Sequence, residues 1–312
     1  MLDDYQGVAL ELGDWSALDG RVEVQVFREH LADEDALVEA LQRFEIVVAM
    51  RERTPFPRAV LERLPKLELL VTTGNRNAAI DVAACADHGV TLCGTGGSVE
   101  STAELTWALI LACARHLPEE VANVRGGGWM STVGADLGGR TLGLCGLGRI
   151  GALVARVGTA FGMELIAWSQ NLTPERCAEL GATLVDKEEL FRRADVLSVH
   201  LVLSERTTGL VGERELRLMK PTAILVNTSR GPICDEEVLA RACAERWIAA
   251  AGLDAFGTEP LPAGHAFRTL GNVIATPHIG YVSEAVYRTF FHDIVEDIVA
   301  FLDGAPVRVV AP

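Results

Sequence analysis

Three side chains in the last third of the chain could together reduce a ketone that sits beside a carboxylate: Arg230, Glu259 and His278. Arg230 carries a permanent cation with a planar fork of donors, suited to gripping a carboxylate and polarising the carbonyl next to it. His278 exchanges its proton readily near neutrality. It can protonate the alkoxide formed as hydride arrives and take that proton back in reverse. Glu259 would hold the imidazole in one tautomer and favour its charged form. Each also has an ordinary structural role open to it: a surface ion pair for the arginine, a core position for the histidine, a solvated loop for the glutamate. Spacing alone does not bring Glu259 to His278.

The elements that must position these groups read as α/β. Short apolar runs alternate with helical patterns almost from end to end, the signature of parallel sheets covered by helices. In the first hundred residues, strands are expected at Val22–Phe27, Glu45–Met50, Leu67–Thr72 and Val90–Cys93, with helices at Glu34–Arg43, Pro57–Leu64 and Asp81–His88. Ser101-Thr102-Ala103-Glu104 reads as a capping box opening a long helix to about His116. A second strand series follows at Thr141–Cys145, Glu164–Trp168, Val196–Val199, Ala223–Val226, Ile248–Leu253 and Val273–Ala275, and a last helix at Ser283 to about Leu302. This places a boundary near residue 98. The expected division is a substrate-binding domain of residues 1–98 and 282–312, with a dinucleotide-binding domain of 99–281 inserted into it.

Ligands of a parallel sheet sit outside the carboxyl ends of its strands. Polar residues gather there: His200 after Val196–Val199; Asn227, Thr228, Ser229 and Arg230 after Ala223–Val226; Asp254 after Ile248–Leu253; and Thr276, Pro277 and His278 after Val273–Ala275. The turn Gly146-Leu147-Gly148-Arg149-Ile150-Gly151 lies between an apolar strand and a helical pattern. In that context Gly146 makes the tight turn, Gly148 lets a pyrophosphate approach the backbone, Gly151 packs helix on strand, and the helix N-terminus adds partial positive charge. NAD or NADP is the expected cofactor. The carboxylate that would take the adenosine ribose hydroxyls is absent after Glu164–Trp168, where Ser169-Gln170-Asn171 stand instead. Ser169 or Asn171 could meet the ribose or a 2′-phosphate, with Arg176 a further source of charge, so the preference between the two coenzymes stays open.

Composition narrows the partners. Twenty-eight basic against 43 acidic side chains give a net charge of −15, which opposes binding to nucleic acid or an anionic bilayer while leaving room for a small anion in a local pocket. Asp3 and Asp4 stand where a signal peptide would need positive charge, and no apolar run is long enough to span a membrane, so a cytoplasmic location is expected. Seven scattered cysteines include no C-x-x-C pair; they read as buried thiols, and no metal site is expected.

Five ordered blocks closely resemble the D-isomer-specific 2-hydroxyacid dehydrogenases: Leu142–Gly151, Ser198–Leu210, Met219–Asp235, Ala251–Leu261 and Asn272–Gly280. The resemblance implies that Arg230 binds substrate, Glu259 partners the acid/base His278, and Asp254 contacts the nicotinamide carboxamide. His200 and Thr228 join the coenzyme site at the same strand ends. It implies that Gly74, Asn75 and Arg76 form a substrate loop whose amides hold the substrate carboxylate. It further implies a homodimer whose arm lies near residues 125–140 and a cleft that closes on the cofactor. Arg76 and Asn77 replace smaller residues common in phosphoglycerate dehydrogenase, and the chain ends at Pro312 without a regulatory extension; a glyoxylate or hydroxypyruvate reductase fits better. Formate dehydrogenase shares the Arg/His pair but has glutamine where Glu259 stands. A non-catalytic NAD(H)-sensing corepressor on the same scaffold is the remaining alternative, and turnover of a 2-keto acid separates it from an enzyme.

Overall fold

The computed structural model describes residues 1–312, which divide into two units, Met1–Ser98 with Val282–Pro312, and Val99–Tyr281. In each unit the sheet is parallel and its inner strands are buried, because helices cover it and the strand sequences are mostly apolar, while the two edge strands of the larger sheet stay partly exposed.

The first unit holds β1 (Ile46–Ala49), β2 (Leu69–Thr72) and β3 (Thr91–Gly94), paired in that order. Val47, Leu70 and Leu92 join Leu37, Leu41, Val60, Leu61, Ala84 and Cys85 of the flanking helices in one core. Asp33 and Asp81 start two of those helices by accepting the N–H of Ala36 and Ala84. The helix Glu284–Leu302 also belongs to this unit. The segment Val22–Phe27 is not a strand. Its exposure alternates as an edge strand's would, but its ladder bonds are confined to the amino terminus: Phe27 N–H to the Met1 carbonyl, Asp4 N–H to the Phe27 carbonyl and the Met1 ammonium to the Gln25 carbonyl.

The second unit holds seven strands: β4 (Thr141–Cys145), β5 (Glu164–Trp168), β6 (Thr183–Leu184), β7 (Val196–Val199), β8 (Ile224–Asn227), β9 (Ala250–Leu253) and β10 (Val273–Ala275). Their spatial order is β10-β9-β8-β7-β4-β5-β6. The direction of winding reverses between β4 and β7, and a reversal of this kind opens a crevice at the carboxyl ends of the two strands. One face packs on Leu109, Ile110, Val154 and Ala155 of the helices Glu100–Ala114 and Arg149–Ala160, the other on Leu190, Phe191, Leu216 and Leu239.

The capping box expected at Ser101 does not form. The helix begins at Glu100 after Val99, whose N–H donates to the Glu100 carboxylate, so Ser101 already lies in the first turn and its hydroxyl is buried without a partner. A helix at Leu117–Arg125 with no buried residue precedes an irregular stretch exposing Trp129, Met130 and Val133. All seven cysteines are buried free thiols, and burial pushes those of Cys113, Cys145 and Cys243 up to about 12. No helix is long and apolar enough to cross a membrane.

Candidate active site

Arg230, Asp254 and His278 follow the carboxyl ends of β8, β9 and β10, and Glu259 lies in the loop between β9 and β10. His278 follows β10 in a turn that gives it a φ of +52°, a left-handed conformation costly for any residue with a β-carbon. The turn is held from inside by Asp254, which follows β9 and is 1% exposed. Asp254 Oδ1 accepts the Thr276 hydroxyl at 2.6 Å and the Ile279 N–H at 2.9 Å, while Oδ2 accepts the Gly280 N–H at 2.8 Å. Burial nevertheless raises its pKa from the ordinary carboxylate value, against the pull of these bonds. Sequence spacing gave no sign of this clamp.

His278 Nδ1 lies 2.6 Å from Glu259 Oε2. The other carboxylate oxygen accepts the Phe256 N–H at 2.8 Å, which fixes Glu259 in place from its own loop. Both side chains are mostly buried, at 18% and 28% exposed. A carboxylate at Nδ1 assigns the Nδ1 proton and leaves Nε2 as the working nitrogen. Tyr281 sits edge-on to the imidazole, with ring centres 5.7 Å apart.

Arg230 follows β8 on a turn built by Asn227, whose side chain accepts the Ser229 N–H and donates to the Arg230 carbonyl at 3.0 Å each. Ser229 anchors the same turn to β7 through the Val199 carbonyl. The next residue must be glycine, because a β-carbon on Gly231 would stand 2.1 Å from the carbonyl carbon of Phe256 and 2.4 Å from the Gly257 nitrogen. The turn bearing Arg230 therefore packs directly on the turn bearing Glu259. Glu236 braces that turn by accepting the Gly257 N–H at 2.7 Å.

The helix Glu100–Ala114 joins these loops from behind. Thr102 donates its hydroxyl to the Gly280 carbonyl, and Thr106 shares a 2.8 Å hydroxyl contact with Thr228. Neither threonine stood out in the sequence, since a hydroxyl inside an apolar helix breaks no periodicity.

The glycine turn lies at the carboxyl end of β4. Gly146 has a φ of +104°, and a β-carbon there would meet the His200 carbonyl oxygen at 2.5 Å. A β-carbon on Gly151 would meet the Gly146 carbonyl oxygen at 2.3 Å. At Gly148 a β-carbon would meet nothing within 4 Å. Gly148 immediately precedes the helix Arg149–Ala160, whose first turn no side chain caps. Open space over uncapped helix amides suits a pyrophosphate, so these residues fit a dinucleotide. Leu147 is buried and Arg149 exposed, while Ile150 is half-buried.

His200 Nε2 is 2.8 Å from the Ser198 hydroxyl, Nδ1 is buried without a partner, and burial lowers its pKa to about 4, so this imidazole is neutral beside the glycine turn. Ser169 follows β5, whose last carbonyl, Trp168, accepts the Gly146 N–H at 2.9 Å. Arg176 reaches the same turn: its Nε donates to the Leu147 carbonyl at 3.3 Å.

Gly74, Asn75 and Arg76 lie in the other unit, directly after β2. Gly74 has a φ of +83°, and its N–H donates to the Thr95 hydroxyl. Asn75 and Arg76 are exposed, and no backbone bond engages their N–H groups. Buried Asn77 ties the base of the loop through bonds to the Arg51 carbonyl and the Thr72 hydroxyl.

Comparison with known proteins places the chain among relatives of similar sequence and fold. Residues 107–280 match the NAD binding domain of D-isomer specific 2-hydroxyacid dehydrogenases. A glyoxylate reductase of Aeropyrum pernix is 42% identical over 255 residues, 78% of this chain and 76% of that protein. A D-3-phosphoglycerate dehydrogenase of Methanocaldococcus jannaschii is 36% identical over 86% of this chain, which spans 52% of that longer protein. A crystal structure of a phosphoglycerate oxidoreductase from Vibrio cholerae superposes with a TM-score of 0.93 at 39% identity, covering 97% of this chain and 98% of that one.

Proposed function

The chain belongs to the D-isomer specific 2-hydroxyacid dehydrogenase family, and we propose that it reduces small 2-keto acids of the glyoxylate and hydroxypyruvate type to the corresponding 2-hydroxy acids. It is an NAD(P)-dependent dehydrogenase by that membership. The observation that carries the substrate-level reading is the 2.6 Å pairing of His278 Nδ1 with Glu259.

We assign the coenzyme to the turn from Gly146 to Gly151, with Ser169, His200, Thr228 and Asp254 at its margins. When bound, it supplies the hydride that reaches C2 of the keto acid. Arg230 grips the carboxylate and steadies negative charge on the neighbouring oxygen as the carbonyl is reduced. His278 donates a proton from Nε2 to that oxygen; Glu259 orients the ring and stabilises the imidazolium that must be present beforehand. In oxidation His278 Nε2 accepts the hydroxyl proton instead. The exposed amides of Asn75 and Arg76, with Gly74 shaping the loop, are assigned to the substrate carboxylate.

The test is oxidation of NADH or NADPH by the purified chain with glyoxylate, hydroxypyruvate, pyruvate and phenylpyruvate. Turnover fastest with the first two supports the proposal. No turnover with any of the four would reject it in favour of a binding role.

The same reading includes a homodimer. Leu117, Val121 and Val124 are exposed along one helix, and Trp129, Met130 and Val133 follow at 70%, 76% and 93% exposure, an apolar surface of the kind that a second copy covers. A monomeric mass in dilute solution would contradict it.

A further inference from the structure

We propose that Arg176 makes the coenzyme site selective for the 2′-phosphorylated nicotinamide dinucleotide, NADPH over NADH. The inference rests on the dehydrogenase reading and deepens it by naming the coenzyme.

A site that prefers NADH places a carboxylate at the end of the second strand of the fold, where it accepts from the adenosine ribose hydroxyls and repels a phosphate. Here that strand is β5, and the residues after it, Ser169, Gln170, Asn171 and Leu172, are all neutral. Ser169 is half-buried, and its carbonyl accepts the Leu172 N–H, which turns the chain at that point. The Gly146 N–H bond to the Trp168 carbonyl holds this strand end against the glycine turn.

Arg176 brings the opposite charge to the glycine turn against which that strand end is held. Thr173 starts the short helix Pro174–Ala178 by accepting the Arg176 N–H, and the side chain returns to the glycine turn through the bond from Nε to the Leu147 carbonyl. That bond fixes the guanidinium beside the turn. Nη1 donates to Glu179 Oε2 at 2.7 Å, while Nη2 has no partner in the chain. The side chain of Arg176 is 42% exposed and that of Glu179 62% exposed. An exposed pair three residues apart is weak, whereas a guanidinium holding a phosphate makes two charge-assisted bonds in a matched fork. Arg176 can therefore keep Nε on Leu147 and turn its Nη groups to a 2′-phosphate. The local cation also offsets the repulsion a chain of net charge −15 exerts on a phosphate.

The experiment is equilibrium titration of the full chain with NADPH and NADH, read by nicotinamide fluorescence, together with displacement by 2′,5′-ADP and 5′-AMP. NADPH is expected to bind at least about tenfold more tightly, and 2′,5′-ADP to outcompete 5′-AMP. Arg176→Gln should weaken NADPH about ten- to a hundredfold while the NADH constant moves by less than about twofold. Ser169→Asp, which restores the missing carboxylate without touching the arginine, should reverse the preference. Equal or tighter binding of NADH by the native chain would overturn the assignment while leaving the dehydrogenase intact. Equal weakening of both coenzymes by Arg176→Gln would do the same, since it would reduce Arg176 to a brace for the glycine turn. Failure of either coenzyme to bind would instead overturn the dehydrogenase reading on which the inference rests.

Discussion

The buried carboxylate of Asp254 accepts the Gly280 N–H at 2.8 Å, and with its other oxygen the Ile279 N–H, so two residues 26 positions apart lock the left-handed turn on which His278 sits. An asparagine at 254 would turn donors toward one of those N–H groups. A buried donor left unmatched costs about 1–3 kcal/mol. Asp254→Asn is therefore expected to lower the melting temperature and, by freeing the turn, to lower kcat. A variant as stable and active as the native chain would show that the clamp is dispensable.

Glu259→Gln keeps the shape of the partner and removes its charge. In the proposed mechanism the imidazolium that donates the proton loses its counter-ion, so reduction should begin to fall off at a lower pH than in the native chain. The ratio of rates at about pH 6 and about pH 8 reads the effect directly. A shift to higher pH would contradict the pairing.

On the proposed assignment, Arg230→Ala removes both the carboxylate grip and the charge beside the reacting oxygen. KM for the keto acid should rise and kcat should fall, because the assignment gives the arginine a share in both ground-state binding and the transition state. Arg230→Lys should recover only part of either, since an ammonium cannot reproduce the fork. Steady-state kinetics on the two variants decide this.

The strands beneath these groups were legible where an apolar run abuts a glycine turn or a polar strand end. Thr141–Cys145, Glu164–Trp168, Val196–Val199 and Val273–Ala275 stand where pattern alone placed them. Val22–Phe27 misled because alternation reports exposure and not the presence of a ladder partner. Ser101 misled because its capping pattern begins one residue inside the helix. The site was legible as residue types, not as distances: nothing in a separation of 19 positions foretells the bond between Glu259 and His278. Asp254, Thr102 and Thr106 act through contacts between segments far apart in sequence, and only the folded chain displays them.

Asp297 offers a pH dependence of stability. It is fully buried on the helix Glu284–Leu302, and burial pushes its carboxyl up to about 7 despite Arg308 Nε at 3.0 Å; Asp293 and Glu296 add repulsion. A carboxyl whose folded-state value exceeds its unfolded value contributes stability that is full at low pH and is lost as pH rises through the folded value. Its share of the melting temperature should accordingly fall as pH rises from about 4 to about 7 and level off above that. Asp297→Asn should remove that part of the pH dependence, and an unchanged slope would exclude Asp297 as its source.

Glycines of one turn should respond in opposite ways to the same substitution. A β-carbon on Gly151 would press on the Gly146 carbonyl oxygen at 2.3 Å, a backbone atom that no side-chain rotation can move aside. Gly151→Ala should push the helix from β4, lowering the melting temperature and coenzyme affinity together. At Gly148 the φ is −78°, a value open to any residue, and the β-carbon would meet no protein atom within 4 Å. Gly148→Ala should leave the fold as stable as before or slightly more so, because alanine has fewer unfolded conformations to lose. The added methyl group nevertheless fills the space over the helix amides where a pyrophosphate must approach. Coenzyme affinity should then fall by at least about tenfold with no loss of thermal stability, a combination that a merely structural glycine does not give. Thermal melts beside coenzyme titrations of the two variants separate the cases, and unchanged affinity in Gly148→Ala would place the coenzyme elsewhere.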